Sequence, residues 1–239
     1  MASNIIKLAD IAPVARFVRG SHTTNICHIT ADITALEVDC IVNAANNSLL
    51  GGGGVDGAIH RKAGRSLLME CRTLNGCDTG DAKITKGYQL PCKHVIHTVG
   101  PIYDSADESA PLLDSCYTRC LEVAAENKLR SIAFSAVSTG VYGYPSHEAA
   151  EVALNAVKRF LSKTDWKFSH IIFCTFVNKD VDSYDKLIPE YFDTKINADE
   201  SACMSHSPRE LLDRLPDVPT TDPGADVEVK EMPDEPALS

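Results

Sequence analysis

The sequence has no apolar run of about eighteen residues, the length that an α-helix needs to cross a bilayer. Residues 1–20 also lack the apolar core and small-residue cleavage site of a secretory signal. We therefore expect no membrane contact and no secretory leader. Apolar residues make up 44% of the chain and charged residues 23%, which are ordinary proportions for a globular protein.

The cysteines lack the pattern of a disulfide framework. No two of the nine are spaced as CxxC, and an odd number cannot pair completely. We expect reduced thiols and a cytoplasmic or nuclear protein, because disulfides are rare in those compartments.

Basic residues are scarce at the C-terminal end, and aromatic residues are missing there. Residues 200–239 hold ten acidic and three basic residues, and therefore seven of the ten net negative charges of the chain. Six of the twelve prolines fall in the same stretch. Such a segment buries too little apolar surface to order itself, so we predict a disordered acidic tail over 196–239 and no direct nucleic-acid binding. Whether the tail binds a partner stays open.

The most informative segment runs from Asn43 to His60 and contains four consecutive glycines. It leads from an apolar strand, Val38–Val42, into the first turn of a helix. Because glycine has no Cβ, this loop lets backbone N–H groups approach a polyanion closely. The helix N-terminus adds unpaired donors and a partial positive charge. We expect a phosphate group to bind here.

Strand-like and helix-like stretches alternate along the chain. The predicted strands are Ile26–Ile29, Val38–Val42, His94–Val99, Ser131–Val137 and His170–Val177, and the predicted helices lie near Val55–Leu74, Leu112–Asn127, His147–Ser162 and Val181–Phe192. This alternation predicts an α/β domain with a largely parallel sheet. Ligands of such sheets bind beyond the carboxyl ends of the strands, so the glycine loop and a second loop, Ser138–Pro145, are expected at one edge.

Two common nucleotide-binding motifs are excluded, and one histidine pair is excluded as a metal site. Gly52–Gly57 matches G-x-G-x-x-G, but the acidic residue at the required distance, Glu70, falls inside a predicted helix and not at a strand end. No Walker-type G-x-x-x-x-G-K-[ST] occurs either. A hydride-transfer enzyme and a P-loop phosphotransferase are therefore rejected. His94 and His97 lie on opposite faces of their strand, which makes them a poor metal site.

The polar residues around the glycine loop allow two interpretations. Asn43 is interpreted as a turn former that ends the strand, whereas Asn46 either forms a turn or binds a ligand hydroxyl. Asp56 and His60 are four residues apart and share one helix face. Either Asp56 stabilises the helix N-terminus with His60 as its partner, or it acts as a base or orients water beside bound phosphates, supported by His60. The local sequence leaves both interpretations open.

The second loop, Ser138–Pro145, again connects a strand to a helix. Glycines flank Val141 and Tyr142, so the backbone can wrap a diphosphate while Tyr142 covers it. Elsewhere, Asp32 follows a short strand and either caps a turn or accepts from a ligand amine. Phe176 is either a core residue or a stacking platform.

Taken in order, these residues resemble a macrodomain of the MacroD type. The stretches that carry the resemblance are Asp32–Thr34, Val38–Asn46, Leu49–His60, Gly76–Gly80, Ala82–Thr85, Val95–Pro101, Ser138–Pro145 and Phe173–Phe176. The match runs in register from Ile26 to Phe192, which makes it more specific than any single motif. It implies a three-layer α/β/α sandwich with a mixed six-stranded sheet, in a domain of residues 25–195 that follows an N-terminal extension of residues 1–24.

The resemblance also implies how the site meets ADP-ribose. Asp32 would accept from the adenine amino group, Ile33 would contact the base through its backbone, and Phe176 would stack on it. The backbone N–H groups that would clasp the diphosphate belong to Gly52, Gly53, Gly54 and Val55 in the first loop and to Ser138, Thr139, Gly140, Val141 and Tyr142 in the second. Asn46 and Asp56 would address the distal ribose with support from His60, and Tyr142 would close over that ribose.

Members of this family type remove single ADP-ribose units from acidic side chains and deacetylate O-acetyl-ADP-ribose. The resemblance therefore implies a hydrolase that takes both kinds of ester at one site, with ADP-ribose, its esters and mono-ADP-ribosylated proteins as partners. It implies no cofactor and no metal. The alternatives are a reader module that binds ADP-ribose without cleaving it and a phosphatase that acts on ADP-ribose 1″-phosphate.

One position departs from the family pattern. The family usually has glycine where this chain has Ala31, directly before Asp32. If the backbone there adopts positive φ, alanine is strained by about 1 kcal/mol and Asp32 shifts. Weaker adenine recognition with unchanged chemistry would follow.

Overall fold

A computed structural model describes residues 5–195 of the chain. Its strands are β1 (Ile6–Lys7), β2 (Ala15–Arg19), β3 (His22–Thr30), β4 (Leu36–Glu37), β5 (Cys40–Ala44), β6 (Ala82–Lys86), β7 (His94–Thr98), β8 (Ser131–Ser135) and β9 (His170–Thr175). Its α-helices are α1 (Gly54–Ala63), α2 (Arg65–Thr73), α3 (Ala106–Glu126), α4 (Ser146–Lys163) and α5 (Asn178–Tyr191). The predicted acidic tail, residues 196–239, lies outside the described residues.

Seven strands form the main sheet, in the order β2-β3-β9-β8-β5-β7-β6. The five inner strands are parallel, and the two edge strands run antiparallel to their neighbours. β1 and β4 pair separately as a short parallel ribbon. The predicted mixed sheet is confirmed, but it has seven strands instead of six.

Helices cover both faces of the sheet, which confirms the three-layer sandwich. α3, α4 and α5 pack on one face in a core that includes Val42 and Ile171. α1 and α2 pack on the other face in a core that includes Ile41 and Ile172. Neighbouring residues of one strand enter opposite cores because side chains alternate between the two faces of a sheet. Strands buried on both faces read as continuous apolar runs, so the sequence predicts them well.

The predicted boundary between the N-terminal extension and the domain, at residues 24 and 25, falls inside β3. The residues before it belong to the sheet, because β2 pairs with β3 along its whole length across a turn at Gly20. The far end of the described chain closes on the same edge, where the Arg16 N–H donates to the Asp193 carbonyl oxygen at 2.8 Å. Two arginines interrupt the apolar residues of β2. The sequence therefore shows no apolar run that would predict this strand.

The helix predicted near Val55–Leu74 is in fact two helices, because the chain bends at Gly64. This residue has a φ of 81°, in the left-handed region that glycine favours, and its N–H donates to the His60 carbonyl oxygen at 3.2 Å. α3 begins at Ala106, earlier than predicted, and includes Pro111 within its first two turns.

The described residues include eight of the nine cysteines, and all eight are buried and unpaired. This agrees with the expectation of reduced thiols. None of the described helices combines the length and the apolar character that a bilayer crossing requires.

Candidate functional site

The C-terminal ends of four parallel strands lie side by side at one edge of the sheet, in the order β3, β9, β8, β5. The predicted site residues follow these ends in the same order. Asp32 follows β3, and Phe176 follows β9. The loop 138–142 follows β8, and Asn46 with the glycine loop follows β5. The topology thus gathers at one edge residues that are far apart in the sequence.

The glycine loop leads from the end of β5 at this edge into the N-terminus of α1. Gly51 and Gly54 have φ values of 91° and 56°, which L side chains rarely adopt. The first helical hydrogen bond joins the Gly57 N–H to the Gly53 carbonyl oxygen at 3.2 Å. Within residues 5–195, the N–H groups from Gly52 to Asp56 therefore have no acceptor. Such a fan of free donors at a helix N-terminus favours an anion.

Asn46, Asp56 and His60 converge behind this loop. A Cβ at Gly52 would lie 3.1 Å from Asp56 Oδ2 and 3.2 Å from Asn46 Nδ2. A Cβ at Gly51 would lie 3.4 Å from the His60 ring. The glycines let the backbone pass directly over the three side chains. A ligand held by the loop would consequently lie next to them.

Asp56 is a buried carboxylate, with only 4% of the residue exposed. Its Oδ1 accepts from Asn43 Nδ2 at 2.7 Å and lies 3.5 Å from His60 Nε2. Its Oδ2 has no hydrogen-bond partner among the described residues. Burial raises the pKa of the Asp56 carboxyl, although the Asn43 hydrogen bond and the charge of His60 act in the opposite direction. One oxygen is therefore held in place, and the other is buried without a hydrogen-bond partner in the described residues.

Asn43 and His97 extend this arrangement into the protein interior. Asn43 Nδ2 lies 3.0 Å from His97 Nδ1, and His97 Nε2 lies 2.9 Å from Thr85 Oγ1. Burial, together with the charge of His60, lowers the pKa of His97 to about 3, so its ring is neutral. His97 Nδ1 accepts from Asn43, and its Nε2–H donates to Thr85. The hydrogen-bonded chain orients the Asn43 amide, which in turn orients Asp56.

The interpretation of Asn43 as a strand-ending turn former is wrong. It lies inside β5, is fully buried and contacts Asp56 directly. The sequence analysis also missed the contact of His97 with this network. A signal was present, because a polar residue in an apolar, doubly buried strand needs a hydrogen-bond partner. The sequence does not show which residue that partner is.

Asn46 forms the turn that carries the glycine loop. Its Nδ2 donates to the Gly51 carbonyl oxygen at 2.9 Å, and its Oδ1 accepts from the N–H and the hydroxyl of Ser48. The side chain is half-buried and also faces the space beside Gly52. Turn formation is thus visible in the structure, and the predicted contact with a ribose hydroxyl stays a prediction.

The second loop presents another set of free donors. Ser138 has a φ of 67°, in the left-handed region, and its carbonyl oxygen accepts from the Tyr144 N–H at 3.0 Å. In the described part of the chain, the N–H groups of residues 139–142 have no acceptor. Val141 is 83% exposed and Tyr142 is half-buried, so this loop borders open space.

Two residues in the first turn of α5 form hydrogen bonds with the second loop. Thr139 Oγ1 donates to the buried Asp180 Oδ2 at 3.0 Å, and the Lys179 ammonium donates to the Thr139 carbonyl oxygen at 2.7 Å. Close packing against Gly100 adds to this, since a Cβ there would overlap the Ser138 hydroxyl. The backbone of the loop is therefore fixed before any ligand binds.

Asp32, Ile33 and Phe176 form the other end of the edge. Asp32 Oδ1 accepts from the N–H and the hydroxyl of Thr34, at 3.0 and 2.6 Å, and caps the short 3₁₀ turn Ile33–Ala35. Ile33 is buried and Phe176 is half-buried. Ala31 does not have a positive φ. The strain considered for alanine at this position is therefore not present.

Comparison with known proteins agrees with this geometry. The Macro domain family model matches residues 42–153. A macro domain-containing protein of Chlorobaculum tepidum is 55% identical over 161 residues, which cover 67% of this chain and 93% of that protein. Human ADP-ribose glycohydrolase MACROD2 is 52% identical over 185 residues, or 77% of this chain. The chain covers only 44% of the length of that relative.

Solved structures give the same assignment. The Trypanosoma brucei macrodomain in complex with ADP-ribose is 42% identical, with a TM-score of 0.71 and a coverage of 78% of each chain. The Oceanobacillus iheyensis macrodomain with ADP is also 42% identical, with a TM-score of 0.67 and a coverage of 73% of this chain and 94% of that one. Sequence and fold agree: the chain belongs to the macrodomain family.

Proposed function

We propose that this chain is a hydrolase that removes ADP-ribose from mono-ADP-ribosylated acidic side chains and deacetylates O-acetyl-ADP-ribose. The observation that carries this proposal is the buried Asp56 carboxylate, whose unpaired oxygen faces the loop with the free N–H groups. A module that only bound its ligand would need the donors and not a buried charge beside them. The names of the MACROD2 and MACROD1 relatives, ADP-ribose glycohydrolases, point to the same chemistry.

The order of the strand ends supports a defined direction for the ligand. Asp32 and Phe176 would bind adenine at the β3–β9 end of the edge. The two fans of N–H groups, near Gly52 and Gly140, would bind the diphosphate between them. The distal ribose would then lie at the β5 end beside Asp56. Many fixed donors make the diphosphate a rigid anchor, so proximity supplies much of the rate enhancement.

The chemistry requires one water molecule and produces ADP-ribose and a free acid. Asp56 Oδ2 orients this water against the ester at the distal ribose, on the side where a bound phosphate supplies a second acceptor. Attack at the ester carbonyl and attack at the anomeric carbon give the same products. Hydrolysis in ¹⁸O-labelled water separates the two routes, because only the first places the label in the released carboxylate.

The decisive experiment measures release of ADP-ribose from a protein modified on glutamate. We expect Asp56→Ala to reduce turnover about 10²–10⁴-fold, the usual effect of a general base, while ADP-ribose affinity changes by no more than about threefold. Asp165→Ala is the matched control, because Asp165 is fully exposed on the surface. Unchanged turnover in Asp56→Ala would remove Asp56 from the mechanism.

The same preparation separates the two alternatives. Binding of ADP-ribose by the parent with no turnover of either ester would identify a reader module. Release of inorganic phosphate from ADP-ribose 1″-phosphate, with both esters left intact, would identify a phosphatase. The proposed hydrolase releases ADP-ribose and acetate instead.

A further inference from the structure

Three potential metal ligands meet beneath the site, on the side of Asp56 that faces the protein interior. They are a ring nitrogen of His60 on α1, the thiol of Cys71 on α2 and a ring nitrogen of His97 on β7, and these atoms all lie within 4.8 Å of one another. Cys71 Sγ is 3.7 Å from His97 Nε2. Bond lengths to zinc predict about 3.5 Å between sulfur and nitrogen at adjacent corners of a tetrahedron. This pair is therefore already near the required spacing.

The ligand types select the class of ion. Two imidazoles and one thiol suit Zn²⁺ and similar thiophilic ions, whereas Mg²⁺ and Ca²⁺ require oxygen ligands. His60 Nε2 is buried and has no hydrogen bond within the described residues, so ligation through this atom competes only with its 3.5 Å contact to Asp56 Oδ1. Cys71 is fully buried and belongs to no part of the proposed ligand site.

Metal binding at these atoms conflicts with the network that holds Asp56. His97 uses Nε2–H to donate to Thr85, so ligation through Nε2 requires its proton to move to Nδ1. Nδ1–H then needs an acceptor, and the buried Asn43 Oδ1 has no partner in the described part of the chain. Turning the Asn43 amide to present Oδ1 removes its Nδ2 from Asp56. Ligation of His60 through Nε2 also engages the nitrogen that lies 3.5 Å from Asp56 Oδ1.

We propose that His60, Cys71 and His97 form an inhibitory site for a thiophilic divalent cation such as Zn²⁺, occupied in competition with the hydrogen bonds that orient Asp56. The inhibitory effect rests on the proposed hydrolase function, whereas metal binding itself does not. Binding releases the thiol proton of Cys71, so the apparent affinity increases with pH.

A cobalt titration of the full chain tests the site without an activity measurement. Every protein in this experiment carries Cys203→Ser, which removes the thiol outside the described residues. We expect one equivalent of Co²⁺ to produce a thiolate-to-cobalt charge-transfer band and the visible bands of tetrahedral cobalt. Cys71→Ser and Cys71→Ala should both lose the charge-transfer band. Cys77→Ser, which changes another buried thiol, and His94→Ala, on the opposite face of β7, should keep it.

Inhibition by Zn²⁺ tests the consequence for Asp56. Each variant is compared with its own metal-free rate, so a change in basal activity does not affect the result. We expect Zn²⁺ to inhibit the parent reversibly, with recovery on chelation, and Cys71→Ser to need at least about tenfold more Zn²⁺, since even outer-shell partners contribute that factor to metal affinity.

The two measurements have distinct failures. A parent without the charge-transfer band, or a Cys71→Ser variant that keeps it, overturns the metal site whatever the activity. A band that depends on Cys71 in a protein that zinc does not inhibit overturns the inhibitory role and leaves the site. A parent that cleaves neither ester contradicts the proposed function, and the cobalt result still decides whether the site exists.

Discussion

The two oxygens of Asp56 lie in different surroundings, and this difference is central to the proposed chemistry. Oδ1 accepts from Asn43, whereas Oδ2 faces Gly52 without a partner within residues 5–195. Burial raises the pKa of the carboxyl, which makes its conjugate base stronger than that of an exposed aspartate. A carboxylate in this position suits proton abstraction from water better than it suits protein stability.

The pH dependence of protein stability should show that the buried Asp56 carboxylate is destabilising at neutral pH. The raised pKa means that Asp56 favours folding most below its unfolded-state pKa of about 3.9, and that this contribution is lost as pH rises through the folded-state value. Asp56→Asn has no carboxyl that titrates at this position, so its stability does not fall in this way as pH rises. We therefore expect the variant to have a larger free energy of unfolding than the parent at neutral pH, with a difference that shrinks near pH 4. Urea unfolding at both pH values measures it.

Asp165→Asn is the control for this comparison, since an exposed carboxylate is solvated in both states. An equal difference between Asp56→Asn and the parent at both pH values would contradict a raised pKa.

Asn43 should matter for turnover although it lies beneath the ligand site. Asn43→Ala removes the donor to Asp56 Oδ1 and leaves a buried charge less well paired, which costs about 1–3 kcal/mol of stability. We expect kcat to fall at least about tenfold, while KM changes little because the phosphate-binding loops are intact. Steady-state kinetics and urea unfolding provide the two readouts.

Asn47→Ala is the matched control, because Asn47 is exposed and its amide donates only to Cys77 and Thr79 in the described part of the chain. If Asn47→Ala and Asn43→Ala lowered kcat equally, the specific role of Asn43 would be refuted.

Local sequence patterns indicate which residues of one segment lie close together, but not which residues meet across strands. Asn46, Asp56 and His60 lie within one segment, where a loop motif and helical spacing show which residues share a face. Asn43 and His97 meet across two strands, and their contact depends on sheet order and on side-chain direction. Neither is encoded in a local pattern.

At the level of elements, α5 connects the two ends of the proposed ligand site. It starts at Asn178, two residues after Phe176, and within its first turn Lys179 and Asp180 hold Thr139 of the second loop. The segment that presents the stacking ring therefore also positions the donors for the diphosphate. Adenine binding and phosphate binding should be coupled through this helix.

The Thr139 contact provides a test. Thr139→Val keeps the shape of the side chain but leaves the Asp180 carboxylate without its donor, at a cost of about 1–3 kcal/mol of stability. We expect a several-fold weaker affinity for ADP-ribose in titration calorimetry. Thr139→Ser retains the hydroxyl and should behave like the parent. Equal affinities of Thr139→Val and Thr139→Ser would show that this hydrogen bond does not position the loop.

The predictability of the elements followed their burial. β5, β8 and β9 are covered on both faces and appear as apolar runs, whereas β2 and β6 alternate apolar with charged or polar residues at the edges of the sheet. The division between α1 and α2 depends on the single residue Gly64 within an otherwise helical pattern. A lone glycine is tolerated in many helices, so the pattern did not identify this bend.

At the scale of the whole molecule, the two ends of the described chain meet at one edge of the sheet. β2 forms one edge of the sheet, and the backbone of Asp193 pairs with Arg16 on that strand. Within residues 5–195, contacts among the described residues hold this sheet edge and the second loop in place. The acidic stretch after Asp199 changes the net charge of the chain from −10 to about −3 when it is removed.

A chain that ends at Asp199 should keep both the fold and the site. We expect its affinity for ADP-ribose and its turnover to lie within about twofold of the parent, and its thermal midpoint to be nearly unchanged, since surface changes typically alter stability by less than about 0.5 kcal/mol. A chain that ends at Glu190 is the comparison, because it also loses the buried Phe192 and the pairing of Asp193 with Arg16. Loss of turnover in the chain that ends at Asp199 would assign a direct role to the acidic stretch.

The order of the strand ends also sets the length that a ligand needs to reach from the adenine position to Asp56. β3 and β5 are three strand intervals apart, a distance of about 14 Å at the usual spacing, and the rigid sheet cannot shorten it. A nucleotide that lacks the distal ribose can fill the adenine and phosphate positions and still fall short of Asp56. We expect such a fragment to act as a competitive inhibitor and not as a substrate, because it places no ester beside Asp56. Under the proposed function, the spacing of the strand ends would therefore select the substrate by its length as well as by its contacts.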